Sequence, residues 1–166
     1  RNYVFAEHNW HDYEAYERMV RDNRYMYIVN YRPQFAQRGP LDAINSDSYK
    51  ELKESLLNGT ISEKQAEIFI SPRQTQELYD LSTDPYQFNN LLLGDDIPLA
   101  YDNLRDKLYQ WTEATGDDLP ENLTKDWYLR EPVNKKEKDS KGQSKTRRTP
   151  QHGIRGEMPG TITKAT

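Results

Sequence analysis

The chain has 166 residues, of which 34% are hydrophobic and 30% are charged, and it contains no cysteine. Its mean hydropathy of -1.08 is low for a chain that packs throughout, so we expect one domain with a single core and a further segment that is not packed. The lack of cysteine excludes disulfides, thiolate zinc sites and a cysteine nucleophile within these residues. No apolar run reaches the roughly 18 residues of a membrane-spanning helix.

Charge divides the chain into two parts. Residues 1–120 contain 12 basic and 21 acidic side chains, whereas residues 121–166 contain 11 basic and 6 acidic ones. We do not expect the acidic part to bind nucleic acid, because phosphate contacts need a basic face. We therefore predict one domain over residues 1–120, a basic, disordered or extended tail over residues 121–166, and neither nucleic acid nor a membrane as partner.

Four segments have the patterns of β-strands. Residues 1–8 alternate aromatic and smaller side chains, and residues 24–32 carry apolar or aromatic groups on both faces, as a central strand does. The pair Met19-Val20 precedes a turn-forming Asp-Asn dipeptide and is predicted to be one arm of a hairpin. The run ELYDL at residues 77–81 is the fourth candidate.

Helical patterns lie between and after these strands. We predict a helix over residues 47–57, a short helix that begins with the capping box of Ser62 and Gln65, and a longer helix over residues 98–115. One apolar stripe of the last helix consists of Tyr101, Leu104, Leu108 and Trp111. It should pack on the sheet, either on the face of Tyr25 and Tyr27 or on that of Met26 and Ile28. The predicted fold class is α+β, a small antiparallel sheet of about four strands against a C-terminal helix.

The segment ELYDLSTDPYQFNNL, residues 77–91, resembles a signature near the C-terminus of sulfatases of the alkaline-phosphatase-like superfamily, ELYDL-x-x-DP-x-E-x-x-NL. The flanking runs LRDKLYQWTEATGD (residues 104–117) and YVFAEHNWHDYEAYERMVRDNRYMYIVNY (residues 3–31) are similar to the neighbouring segments of those enzymes. One position departs from the signature, because Gln87 stands where it has glutamate. A neutral hydrogen bond replaces a charged one there, and this change affects the stability of the corner more than the assignment to the family.

The resemblance implies that residues 1–120 are the C-terminal subdomain of a sulfatase. Within the superfamily the segments look closest to heparan N-sulfatase (sulfamidase) and its bacterial relatives. This implies hydrolysis of sulfate esters or sulfamates on a glycosaminoglycan-like carbohydrate. It also implies a secreted, periplasmic or lysosome-like location. Residues 1–5 have neither an initiator methionine nor the pattern of a signal peptide, so we expect a segment from within a longer protein.

Sulfatases of this superfamily resemble one another in using calcium and a formylglycine nucleophile made within a C/S-x-P-x-R motif. None of the nine prolines in this chain stands in such a motif. The resemblance therefore implies that both cofactors belong to an N-terminal catalytic domain of the same protein. We expect no cofactor and no catalytic residue within this chain, and no activity from it alone. The expected partners are that catalytic domain and a sulfated saccharide.

One cluster of ionisable residues directly follows the first predicted strand. Glu7, His8, His11 and Asp12 are expected on one loop, where they could bind sugar hydroxyls, and a protonated histidine could complement a sulfate. Trp10 between them could stack on a pyranose. The alternative is that these are ordinary loop residues and that the tryptophan fills an interface. Three metal ligands in five residues of a loop would be weak support for a metal site.

Two other functions remain open from the sequence. The chain could be a stand-alone carbohydrate-binding or interaction module without catalysis, or part of a phosphonate or phosphodiester hydrolase of the same superfamily. A C/S-x-P-x-R motif upstream of this chain would distinguish a sulfatase from a stand-alone module. Four arginines flank the predicted central strand and could bind an anion, but pairing with the acidic body is the preferred interpretation. They are Arg18, Arg21, Arg24 and Arg32.

Overall fold

The computed structural model describes residues 1–37 and 39–121. They form an antiparallel sheet with the strand order β1-β2-β3-β4, which confirms the predicted α+β fold with its C-terminal helix. The strands are β1 (Val4–Trp10), β2 (Glu14–Arg21), β3 (Tyr25–Asn30) and β4 (Gln76–Asp80). The helices are α1 (Leu41–Ile44), α2 (Asp47–Leu57), α3 (Glu63–Ala66) and α4 (Ala100–Thr115), with short 3₁₀ helices at Glu67–Phe69 and Leu91–Leu93.

One face of the sheet packs against α4 and forms the hydrophobic core. The fully buried members of this core are Val20, Tyr27, Leu78, Leu104 and Leu108. Its three strand residues are directly paired in the strand register, so they form one row across the sheet. Beside this row, Phe5 stacks on Trp111 with ring centroids 5.3 Å apart. The apolar stripe of α4 therefore packs on the sheet face of Tyr27, one of the two faces that the sequence allowed.

The helix α4 starts later than predicted and ends where predicted. Pro98 lies outside it and accepts a backbone hydrogen bond from Tyr101 N, at 2.9 Å. Gly116 ends the helix in the left-handed conformation, with φ 64°. Asp117 N then donates back to Thr112 O at 3.0 Å, a reversal that only a residue without a side chain adopts at low cost. This turn brings the residues after α4 back toward the sheet.

The hairpin of β1 and β2 contains an irregularity near its connecting turn. The register shifts between His8 and Trp10, which pair with Glu17 and Glu14 respectively, so β2 carries one extra residue. Tyr16, with φ 51°, lies in this bulge, and its carbonyl accepts a hydrogen bond from Tyr31 N at 3.0 Å. A bulge increases the local twist of a strand pair and re-aims the side chains next to it.

A long insertion between β3 and β4 carries the short helices. Ser46 caps α2. The predicted capping box of Ser62 and Gln65 is present at the start of α3. None of the α2 residues is fully buried. From this helix, Tyr49 packs on Phe69 with ring centroids 5.6 Å apart. The helix therefore lies on the surface of the domain rather than in the core.

The corner after β4 is held by side chains that bond the backbone. Asn90 Oδ1 accepts from Leu78 N at 2.9 Å and from Leu92 N at 3.1 Å, while Asp84 Oδ2 accepts from Asn89 N at 2.8 Å. Asp80 Oδ1 accepts from the backbone N of Ser82 at 3.0 Å. Short Asp and Asn side chains satisfy the donors that a tight turn leaves without partners. This explains why the segment 77–91 uses these residue types.

Some predicted boundaries are corrected. The strand β1 covers Val4–Trp10 rather than residues 1–8. The strand β2 is much longer than the predicted Met19-Val20 arm. Its full length was missed because charged residues occupy some of its buried positions, so the sequence does not show the usual alternation of apolar and polar residues. The predicted tail covers residues 121–166, and all of it except residue 121 lies outside the described residues. Among the helices of the described ranges, none combines the length and apolar character that crossing a bilayer would require.

Candidate functional site

The four predicted site residues do not share one loop. Glu7 and His8 belong to β1, where consecutive side chains point to opposite faces of the sheet. Only His11 and Asp12 lie in the connection between β1 and β2. The prediction of a common loop is wrong because backbone pairing with β2 continues the strand as far as Trp10. Substrate binding by the four residues stays a prediction.

Glu7 faces a buried ion pair. Its Oε2 is 3.9 Å from Arg18 Nη2, and the Arg18 guanidinium also bonds Asp117, with 2.7 Å between Nη2 and Oδ1. The Arg18 side chain is only 2% exposed. Burial opposes its charge, but the hydrogen bond and the negative charge of Asp117 outweigh this effect and raise the Arg18 pKa. Glu7 is therefore the outer member of an ion network on the α4 side of the sheet.

His8 faces the other side of the sheet and pairs with Glu17. Its Nδ1 lies 3.1 Å from Glu17 Oε2, while Arg73 Nη1 donates to Glu17 Oε1. Burial alone would raise the pKa of Glu17, but the hydrogen bonds from His8 and Arg73 hold it below its usual value. Arg73 Nη2 also lies 3.6 Å from Glu77 Oε1. A network of ion pairs and hydrogen bonds therefore connects β1, β2, β4 and the end of the insertion.

This network borders a pocket of about 360 Å³ between the β1-β2 hairpin and the insertion. The volume is near the lower end of the range for small-molecule sites, which is about 300–1,000 Å³. The ionisable groups in its wall are His8, Glu14, Glu17, Arg32 and Arg73. Its larger aromatic and aliphatic side chains are Tyr13, Phe35, Ile44, Tyr49 and Ile68. Of the four predicted site residues, only His8 lines the pocket.

His11 and Asp12 form a separate pair at the tip of the hairpin. His11 Nδ1 is 3.3 Å from Asp12 Oδ2, and the His11 side chain is 67% exposed. Trp10 is half-buried beside them and does not line the pocket. Within residues 1–37 and 39–121, no group of three or more histidine, aspartate or glutamate side chains is arranged to hold a metal ion.

Three of the four arginines near the central strand are paired with carboxylates, as the sequence analysis preferred. Arg24 Nη2 is 2.7 Å from Asp80 Oδ2, and Arg32 Nε is 2.6 Å from Glu14 Oε1. Arg18 pairs with Asp117 as described above. These pairs join residues far apart in the chain, so the three arginines connect separate parts of the domain rather than form an open strip for an anion.

Most pocket residues could not be predicted from the sequence. Glu17 and Arg73 meet across 56 residues of chain, and Phe35 and Tyr49 come from the irregular insertion. None of them lies in a motif with a fixed spacing to His8. The one available signal was the glutamate nine residues after His8, which becomes meaningful only when β1 and β2 are known to pair in this register.

Sequence similarity to two curated proteins identifies the chain as a sulfatase-related domain. No protein-family model matches it. Two ulvan-active sulfatases of Formosa agariphila are similar to it, the first 33% identical over 126 residues and the second 29% identical over 107 residues. These alignments include 74% and 64% of this chain but only 21% and 19% of the relatives. The chain thus spans about a fifth of the length of the curated relatives that it matches.

Proposed function

We propose that this chain is the C-terminal, non-nucleophile part of a sulfatase that hydrolyses sulfate esters on a carbohydrate. It would supply scaffold and substrate-binding side chains to the whole enzyme. The observation that carries the proposal is the 33% identity to an ulvan-active sulfatase along 74% of the chain. The corner at residues 77–91, which resembles the C-terminal sulfatase signature, supports a position late in the enzyme.

The catalytic groups would come from another part of the protein. The 166 residues contain no C/S-x-P-x-R motif that could yield formylglycine. By the family resemblance, nucleophile and metal would belong to an N-terminal catalytic domain, and the role of this chain would be to bind and orient the saccharide.

An exposed apolar segment supports contact with that domain. Between β4 and α4, Tyr86 is 77% exposed, Leu93 66% and Leu99 92%. Exposed apolar side chains that lie together on a surface are typical of interaction sites, and Tyr86 and Phe88 do so, with 6.0 Å between their ring centroids. We propose that the segment 86–99 contacts the catalytic domain of the same protein. By the family resemblance, the whole enzyme would act in a secreted, periplasmic or lysosome-like location.

The substrate is proposed from the names of the relatives and from the earlier resemblance. Both relatives are ulvan-active, which favours sulfate esters of ulvan. The resemblance to heparan N-sulfatase makes the sulfamate of a glycosaminoglycan the second candidate. Among the four predicted residues, His8 would contact the sugar from the pocket, and His11 with Asp12 from the exposed hairpin tip. Glu7, beside buried Arg18, would position the strand.

The proposal can be tested with the protein at its natural length. Release of inorganic sulfate would be measured from ulvan oligosaccharides, heparan sulfate oligosaccharides and 4-nitrophenyl sulfate, with bis(4-nitrophenyl) phosphate as the substrate of the phosphodiester alternative. The matched control replaces the formylglycine precursor by alanine. Sulfate release that this change abolishes would support the proposal. A protein that has no C/S-x-P-x-R motif, or that cleaves only the phosphodiester, would overturn it.

A further inference from the structure

The pocket between the hairpin and the insertion has hydrogen-bonding groups of both kinds. His8 Nδ1 lies 3.1 Å from the carboxylate of Glu17, so Nε2 is the ring nitrogen that remains for a hydrogen bond to a ligand. Arg73 has only donors, and Glu17 uses one lone pair on each oxygen for His8 and Arg73, so acceptor capacity remains on both oxygens. Hydroxyl groups match such a set because each can donate and accept.

Within the described part of the pocket wall, each of the two carboxylates is paired with an arginine. Glu14 is paired with Arg32 at 2.6 Å, and Glu17 is paired with Arg73. A sulfate or carboxylate could accept from the arginines, but it would lie near two carboxylates and could donate nothing to them. An uncharged, hydroxyl-rich ligand avoids this repulsion and still gains charge-assisted hydrogen bonds.

Aromatic rings complete the wall. Phe35 and Tyr49 line the pocket from the insertion, both half-buried, and Tyr49 is braced by Phe69 with 5.6 Å between ring centroids. Such rings combine a large apolar surface with few rotatable bonds, which suits the apolar face of a pyranose. A pocket of about 360 Å³ has room for one sugar ring.

We propose that this pocket is a subsite for an unsulfated, uncharged sugar ring of the substrate, separate from the residue that carries the scissile sulfate. The inference rests on the proposed function, because it assigns the pocket to a saccharide chain that the enzyme cleaves. The inference goes beyond the proposed function because it specifies the chemistry of the sugar unit next to the one that carries the scissile sulfate. Tyr49 and Phe35 would contact the ring, while His8, Glu17 and Arg73 would bind its hydroxyls.

Direct binding tests the subsite without any turnover. Saturation-transfer NMR on the natural-length protein would compare methyl xyloside as the neutral probe with methyl glucuronoside as the anionic one. The substitution Tyr49→Ala should weaken xyloside binding about tenfold, and Tyr49→Phe should retain most of it because the ring stays. The matched control is Tyr109→Ala, since Tyr109 is an exposed tyrosine of α4 outside the pocket wall.

Kinetics provide a second readout. If the protein is an active sulfatase, Tyr49→Ala should raise KM about tenfold for a sulfated disaccharide with a neutral second ring, at unchanged kcat. KM for the matching sulfated monosaccharide should not change. Xyloside binding that depends on Tyr49 would support the subsite even if the protein had no sulfatase activity. The lack of activity would then contradict only the proposed function. Tighter binding of the glucuronoside, no xyloside binding, or equal binding by the Tyr49→Ala variant would overturn the subsite.

Discussion

Arg18 and Asp117 are 99 residues apart in the sequence and form a two-point ion pair between the middle of β2 and the residue that follows the cap of α4. The guanidinium Nη2 is 2.7 Å from Asp117 Oδ1, and Nε donates to Oδ2. Arg18 is also 5.1 Å from the centre of the Tyr16 ring in the bulge of β2. The pair therefore connects the end of α4 to the irregular part of the hairpin that carries His8.

Removal of Asp117 should expose the cost of burying Arg18. The Asp117→Ala variant should lose about 3 kcal/mol of unfolding free energy, since loss of one partner leaves a buried charge with little compensation. The remaining carboxylate, Glu7, is 3.9 Å away. Denaturant unfolding of Asp118→Ala, an exposed neighbour, is the matched control and should change by less than about 0.5 kcal/mol. Equal midpoints for the two variants would mean that the pair adds no net stability.

The burial of Leu108 against the sheet gives a second stability prediction. Leu108→Ala should cost about 2–5 kcal/mol, because the side chain is 3% exposed and its removal leaves a cavity in the core. Tyr109→Ala, at the next position of α4 and 65% exposed, should cost far less. Both can be measured in the same denaturant series. A loss below about half a kcal/mol for Leu108→Ala would contradict the packing of α4 on this face.

The sequence predicted the structural features that depend on neighbouring residues. The bounds of α2 and the capping box of α3 follow from residues close together in the sequence, and the structure confirms them. The corner at 77–91 follows from its Asp and Asn residues for the same reason. The bulge at Tyr16 and the pocket depend on contacts between distant strands and loops, and no local pattern encodes them. His8 was found by its residue type, but Arg73 became visible only through the fold.

Asp80 should make the stability of the domain depend on pH. Hydrogen bonds from Arg24 and Ser82 hold its pKa well below the usual range. Since the folded-state pKa is lowered, the contribution is fully present above the unfolded-state value of about 3.9 and is lost as pH falls below it. Asp80→Asn should therefore flatten the acid limb of unfolding free energy against pH. An unchanged acid limb would contradict this, and Asp95→Asn, at an exposed loop position, serves as control.

The 166-residue chain should not hydrolyse an aryl sulfate by itself. It has no cysteine and no C/S-x-P-x-R motif, so it cannot present a formylglycine nucleophile. Assay with 4-nitrophenyl sulfate should give the rate of a mock purification from the same host. Turnover above that rate, which rises in proportion to the amount of this chain, would contradict the proposed division of roles between this chain and a catalytic domain.

His8 and His11 should differ in the natural-length enzyme, because only His8 reaches the pocket. His8→Ala should lower kcat/KM for the natural saccharide by about 10- to 100-fold, or about 1.4–2.7 kcal/mol of transition-state binding. His11, exposed and paired with Asp12 at the hairpin tip, should give a smaller loss. A small aryl sulfate has no further sugar ring to bind, so it should be much less affected by either change.

The cause of a lower kcat/KM in the His8 variants is identified by comparing the saccharide with the aryl sulfate. Because His8 bonds Glu17 at 3.1 Å, its removal could also disturb the network with Arg73. His8→Gln, which keeps a donor for Glu17, should therefore restore stability in a denaturant melt while the loss on the saccharide remains. Equal losses on saccharide and aryl sulfate would instead place His8 at the sulfate or reveal a folding defect. No loss on either substrate would leave His8 with only its structural contact to Glu17.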